Sequence, residues 1–194
     1  METQGDWFPI YLKQDEAQFF LDELKAHQKY PKLLLFYLSA FLSSARSITF
    51  HIQNQIVPNA ANGRVIYDNA VKELLGDDVS KYFINLRNTS EKQIYLPLGF
   101  RLYRTEYEVD DPRNVWTQLG ASVPSSTPSV EHMTTLEELL TKTASWHGTP
   151  HIQTEWYLDD FSGAEQELTD ACKTYLASLR SFVDEFRHRL LRDG

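Results

Sequence analysis

The stretch that most limits what this chain can become is Leu33–Val57, LLLFYLSAFLSSARSITFHIQNQIV. Leu34, Leu38, Phe41, Ala45, Ile48 and Ile52 follow one another at steps of four and three. Such spacing keeps one side of a helix turned toward partner helices. Leu33, Phe36, Tyr37 and Ala40 widen the apolar surface, so the first half is expected to be buried on several sides. Pro31 suits the first turn of this helix, where its missing N–H costs nothing. A membrane span is the rival. Only 13 residues separate Lys32 from Arg46, short of the roughly 20 that a bilayer requires. Ser39, Ser43, Ser44 and Arg46 also sit badly in lipid. The stretch is therefore expected to be the core helix of a bundle. Six seam side chains at about 1.5–3 kcal/mol each contribute on the order of 10 kcal/mol before chain entropy is subtracted.

The polar residues of the stretch fall on two stripes. Ser43, Arg46, Phe50 and Gln53 form one, and Ser47, His51 and Asn54 the other. Arg46 either reaches a groove between helices or lays its stem on the surface beside a carboxylate. His51 is the one histidine on this helix.

At 194 residues, with 42% hydrophobic content, the chain is long enough for a single domain with a full core. Its net charge is −8. That excludes broad, non-specific attachment to a phosphate backbone but leaves room for a local basic site. Cys172 is the single cysteine, which rules out an internal disulfide and points to a reducing compartment. It falls on a helix seam, where a thiol acts as a small apolar group. The opening METQGDWFPIYLKQDE has neither a basic region nor an apolar run of a targeting segment. A cytoplasmic protein with no membrane role is expected.

Along the chain, residues 1–13 are expected to run extended and pack through Trp7, Phe8, Ile10 and Tyr11. Asp15 and Gln18 are spaced as a capping box, opening a helix with Ala17, Phe20, Leu21 and Leu24 on its apolar face. A further helix is expected around Val65–Leu75, stopped by a left-handed Gly76. Asp77 or Asp78 caps the next, which buries Val79, Tyr82, Phe83 and Leu86. Pro97 and Gly99 mark a turn, and RLYRTEYEV then alternates as a strand. Thr134 and Glu137 open a short helix. HIQTEWYLD alternates as a second strand that can pair with the first. Ser162 and Glu165 open a last helix with the seam Leu168, Cys172, Tyr175, Leu179, Phe182, Phe186 and Leu190. The expected fold is mainly α: one domain over 1–194, an up-and-down bundle from 14–92 and 162–192, with a small β-containing insertion over 93–160.

Few motifs carry chemistry. There is no phosphate-binding glycine loop and no serine nucleophile elbow, and one cysteine cannot make a zinc motif. His147, His151 and Glu155 have helical metal-ligand spacing, but Gly148 and Pro150 forbid the helix. No metal or cofactor is expected. The stretch that stands out is Phe83–Lys92, FINLRNTSEK, with Arg87 and Asn88 closing a helix. On structure alone, Arg87 and Glu91 are an i,i+4 pair contributing tenths of a kcal/mol.

The segments FLSSARSITFHIQ, YFINLRNTSEK and ACKTYLASLRSFVDEF together resemble the HEPN superfamily of helical bundles, especially its bacterial branch. The resemblance spans most of 15–92 and 162–192 and omits the insertion. It implies a metal-independent ribonuclease scaffold that works as a dimer with facing motifs. Its motif is an arginine, a polar residue and a histidine, with about four to six residues between the arginine and the histidine. The histidine would move protons at the ribose 2′-hydroxyl and the leaving oxygen. The arginine would hold the charged phosphorane. Arg87 and Asn88 match the first two positions, and Lys92 stands where the histidine belongs. A lysine with a pKa near 10.4 holds phosphate but is a poor base.

Three functions follow. The favoured one is a HEPN-like homodimer without standard nuclease activity, binding RNA or a protein partner near Arg87, Asn88 and Lys92, with Arg46 and His51 as further binding residues. The second is an active metal-independent ribonuclease of a toxin–antitoxin or phage-defence system. The third is a dimeric interaction module with no nucleic-acid role.

Overall fold

The structure is a computed structural model that describes residues 6–90, 98–105, 116–118, 151–158, 161 and 166–193. Five α-helices carry the described part of the chain: α1 (Phe8–Ala26), α2 (Pro31–His51), α3 (Gly63–Leu74), α4 (Asp78–Ser90) and α5 (Leu168–Asp193). Helix α2 continues through a π-helical turn, Ile52–Ile56, and a 3₁₀ turn, Val57–Asn59.

All six seam residues of α2 are fully buried. Leu168, Cys172, Tyr175, Leu179, Phe182 and Phe186 of α5 are buried with them. Each stripe turns inward because it repeats at three and four residues, and the two touch where Phe41 meets Tyr175. The rest of the expectation for α2 needs correction. Leu33 and Phe36 are exposed, so its first half is covered on one side rather than several. The run Pro31–Asn59 is long and apolar enough to cross a bilayer, and 44% of its most apolar window is buried inside the bundle.

The start of the bundle also differs from expectation. Residues 8–13 are helical rather than extended, and Asp15 lies inside α1 instead of capping it. Ile10, Gln14, Ala17, Leu21 and Leu24 make one buried stripe at steps of four and three, so the apolar period begins at Ile10. Pro9 stands in the first turn, and the Asp6 carboxylate accepts the Phe8 N–H at 3.0 Å.

Helix directions follow from the contacts. Phe41 of α2 meets Tyr175, while Tyr67 of α3 bridges Thr49 to Phe182 and Phe186. Helices α2 and α5 therefore run parallel. Phe83 of α4 stacks on Tyr175, yet Asp77 reaches forward to Ser178, so α4 runs antiparallel to both. Helix α1 is antiparallel to α5: Trp7 packs on Phe186, and Arg180 donates to Gln18 at 3.1 Å. Arg189 ties α5 to α3 through two bonds to Glu73, at 2.8 and 3.0 Å. Its charge is held there by Glu73 and Glu185, which raise its pKa further.

Asp77 is the cap of α4. Its carboxylate accepts from the N–H groups of Val79 and Ser80 and from the hydroxyls of Ser80 and Ser178. The left-handed residue of this region is Asn62, φ 53°, and not Gly76, which donates its N–H to Glu73.

Beside the bundle lies an antiparallel sheet of four strands in the order β2-β1-β3-β4. They are β1 (Leu98–Thr105), β2 (Trp116–Gln118), β3 (His151–Leu158) and β4 (Gln166–Glu167). The two alternating segments do pair, with Leu98 opposite Leu158 and Thr105 opposite His151. Gly99 is no turn residue: it lies in β1 opposite Tyr157. A Cβ there would sit 2.1 Å from Cζ of the Tyr157 ring, so the strand needs a glycine to admit that ring. Leu98, Trp156 and Leu158 join the core, and Trp156 Nε1 donates to the Gln28 carbonyl at 2.9 Å. The last helix begins at Leu168, after β4, and so not at Ser162. Glu167 caps it by accepting the Asp170 N–H at 2.7 Å. Residues 162–165, with the Ser162–Glu165 box, and the helix expected from Thr134 lie outside the described residues.

Candidate functional site

Three aromatic rings from three helices meet at the centre of the site. Phe83 and Tyr175 stack at 4.9 Å with planes 4° apart, and Phe41 packs edge-on against both at 6.3 and 6.4 Å. Two of the three helices then carry an arginine just beyond the ring. Arg46 is five residues past Phe41, and Arg87 is one turn past Phe83. Both are half-buried.

Both arginines place positive charge near the Tyr175 hydroxyl. Burial pushes that hydroxyl well above the usual tyrosine range, and the positive charges of Arg46 and Arg87 pull partly against it. Because α2 and α4 are antiparallel, Arg46 and Arg87 lie toward opposite ends of the Phe41–Phe83–Tyr175 cluster. Arg46 is further held by Thr49, whose hydroxyl accepts from Nη1 at 2.6 Å. The Thr49 carbonyl accepts the Tyr67 hydroxyl at 3.4 Å. The head of Arg46 is thus fixed by a hydroxyl, and its charge acts on both Tyr67 and Tyr175.

His51 is on a different side of α2. Five residues past Arg46 is about 140° around a helix of 3.6 residues per turn. It lies about 15 Å along α2 from Phe41, toward the end away from Arg87. Its ring neighbour is Phe50, at 6.4 Å. The structure therefore does not bring His51 to the arginines. Asn88 follows Arg87 on α4, and Lys92 lies outside the described residues.

His151 and Glu155 lie on β3, where four residues span about 13 Å. Among the described residues no group of three His, Cys, Asp or Glu side chains could hold a metal ion.

No family model, curated protein or solved structure matches this chain.

Sequence reasoning missed one feature of the surface. An open groove of about 950 Å³ runs between α3, the Asp77 corner and α5. Glu73, Asp77, Asp184, Glu185 and His188 line it together with Ser178 and Ser181. Its charge repels phosphate, which sets it apart from the Arg46–Arg87 region. The spacing of Asp184, Glu185 and His188 on the outer stripe of α5 was the available signal.

Proposed function

We propose that this chain is a HEPN-like bundle without ribonuclease chemistry, which holds the phosphate backbone of single-stranded RNA through Arg46 and Arg87. The observation that carries this is that two arginines from separate helices, both half-buried, place their charge near one buried tyrosine. Guanidinium forks match phosphate oxygens in a bidentate way, and a rigid aromatic floor limits the entropy lost on binding. The sequence adds Lys92, four residues beyond Asn88, as a third cation for the same strand.

Local charge supports it. Between Pro31 and Tyr67 there is no Asp or Glu, so the surroundings of Arg46 in sequence are free of the acidity that gives the whole chain −8. Cleavage needs a group that takes a proton from the 2′-hydroxyl. Arginine stays charged and cannot. His51 lies on another side of α2, and the motif position holds Lys92. The buried thiol of Cys172 fits a reducing compartment.

Fluorescence anisotropy with a single-stranded RNA probe tests the proposal. Binding that weakens with salt and with Arg87→Ala, and no cleavage of the probe, is the expected result. Cleavage by the wild type that Arg87→Ala abolishes would assign the nuclease function instead.

A further inference from the structure

Phe50 shares a stripe of α2 with Ser43, Arg46 and Gln53, and the phosphate site leaves it unused. Its ring is 54% exposed and takes no part in the core. Among the described residues the one ring beside it is His51, at 6.4 Å and nearly edge-on. Phe36 is more open still, at 68%, but it precedes Arg46 by ten residues, about 15 Å along the helix. Of these two exposed rings of α2, only Phe50 lies within about one turn of an arginine.

Four residues separate Arg46 from Phe50, which is about 40° around the helix and 6 Å along it. Their Cβ atoms are then about 5–6 Å apart, a distance that one ribose spans between a phosphate and its base. Thr49, three residues past Arg46, lies about 60° round the other way. The hydroxyl that fixes the guanidinium is therefore on the side away from the Phe50 ring and does not cover it. Beyond Phe50 the helix widens into the π turn Ile52–Ile56, which buries Ile52 and Ile56 and leaves Asn54 and Gln55 exposed. The Asn54 amide donates to the Phe50 carbonyl at 3.0 Å and ties the ring's backbone to that turn. Gln53 and Asn54 thus put uncharged amides next to the ring, groups that can pair with the edge of a base. No carboxylate stands between Pro31 and Tyr67, so nothing in this stretch repels a strand arriving from Arg46.

We propose that Phe50 is the base-stacking residue of the Arg46–Arg87 site: a strand whose phosphates the arginines hold lays one unpaired base on the exposed ring. The inference rests on the RNA reading of those arginines and adds the reason for a single strand. Phosphates are offered by paired and unpaired RNA alike, and holding them does not tell the two apart. A paired base keeps its faces inside the duplex and has none to give to Phe50. Every base has a π face, so stacking tolerates sequence. The site therefore selects for the unpaired state of the strand, with Phe50 as the selecting residue.

The test is an anisotropy titration of the full chain with a short single-stranded RNA of mixed sequence, and with the same strand annealed to its complement. Wild type should bind the single strand more tightly than the duplex. Phe50→Ala should weaken single-strand binding about tenfold, with the salt slope unchanged because no phosphate contact is lost, and should leave duplex binding as it was. Phe50→Trp should bind the single strand at least as well as wild type. Phe50→Leu should behave like Phe50→Ala, because apolar bulk without a π face does not stack. All three should keep the wild-type circular dichroism, since the side chain is exposed. Full single-strand affinity in Phe50→Leu would reveal a merely apolar contact and overturn the stacking role. An equal loss on the duplex in Phe50→Ala would overturn it too. Single-strand binding that Arg87→Ala weakens and Phe50→Ala does not would overturn stacking and leave the phosphate site standing. Wild type that binds neither probe at low salt would overturn both.

Discussion

Phe83 stacks on Tyr175 with ring centroids 4.9 Å apart and planes 4° from parallel. The stack joins α4 to α5 beneath the candidate site. Phe83 is fully buried and also meets Phe41, so it anchors three helices at once. Phe83→Ala should cost about 3–5 kcal/mol, from the missing ring and the cavity left behind. Phe83→Leu should cost less because it keeps most of the volume. Urea unfolding reads both, as a fall in midpoint with an unchanged m-value.

The Asp77 cap gives stability a pH dependence. Burial alone would raise the pKa of this carboxyl, but the hydrogen bonds from Ser80, Ser178 and Val79 outweigh it and the net shift is downward. The folded pKa is then below the unfolded value, about 3.9. Its contribution is present above that value and is lost as pH falls through the folded pKa. Asp77→Ala should cost about 1 kcal/mol, as an N-cap. Asp77→Asn should keep most of the cap and flatten the loss of stability below about pH 4. Thermal melts of the three proteins from neutral to acidic pH would show the difference. Equal acid sensitivity in wild type and Asp77→Asn would count against the cap as its source.

Cys172 offers a chemical probe of the core. The thiol is completely buried, and burial, with the nearby Glu167 charge, pushes its pKa well above the ordinary range despite Lys25. A thiolate is the reactive form. The native protein should therefore ignore a thiol reagent, and modification should follow the opening of α5. The rate should rise with urea in step with unfolding, and faster still in Phe83→Ala. Rapid stoichiometric labelling in native buffer would show that the α5 seam is open.

What the sequence made readable was the inner side of each long helix. Leu34 to Ile52 and Leu168 to Phe186 repeat at three and four because each turns one face inward, and period reports that directly. The same signal ran through Ile10, Gln14 and Ala17, but the aromatic-rich opening hid it, and the polar Gln14 occupies a buried position. Which apolar residues stay uncovered was not readable. Phe36 and Phe50 are as hydrophobic as Phe41, and only the neighbouring helices decide that Phe41 is inside. Strands β2 and β4, of three and two residues, are too short to carry an alternation. Each arginine could be found singly. That both place charge near Tyr175 depends on how α2, α4 and α5 pack, a tertiary relationship that no local spacing encodes.

The Arg46–Arg87 pair makes a quantitative prediction for RNA. Removing one cation from a phosphate should lower the steepness of the log–log salt dependence by about 0.7 for a single strand. Arg87→Ala and Arg46→Ala should each show a decrease of about that size. Each should also weaken binding to unrelated sequences equally, because groups that hold phosphate carry no base information. Arg87→Lys keeps the charge but not the fork, so it should preserve the slope while weakening affinity. His51→Ala should change neither quantity, because His51 lies around the helix from Arg46. Anisotropy titrations at several salt concentrations, with probes of two compositions, measure all four variants. A salt slope that is the same in wild type and in both alanine variants would remove the phosphate site. A loss of binding in His51→Ala as large as that in Arg87→Ala would relocate it to the other side of α2.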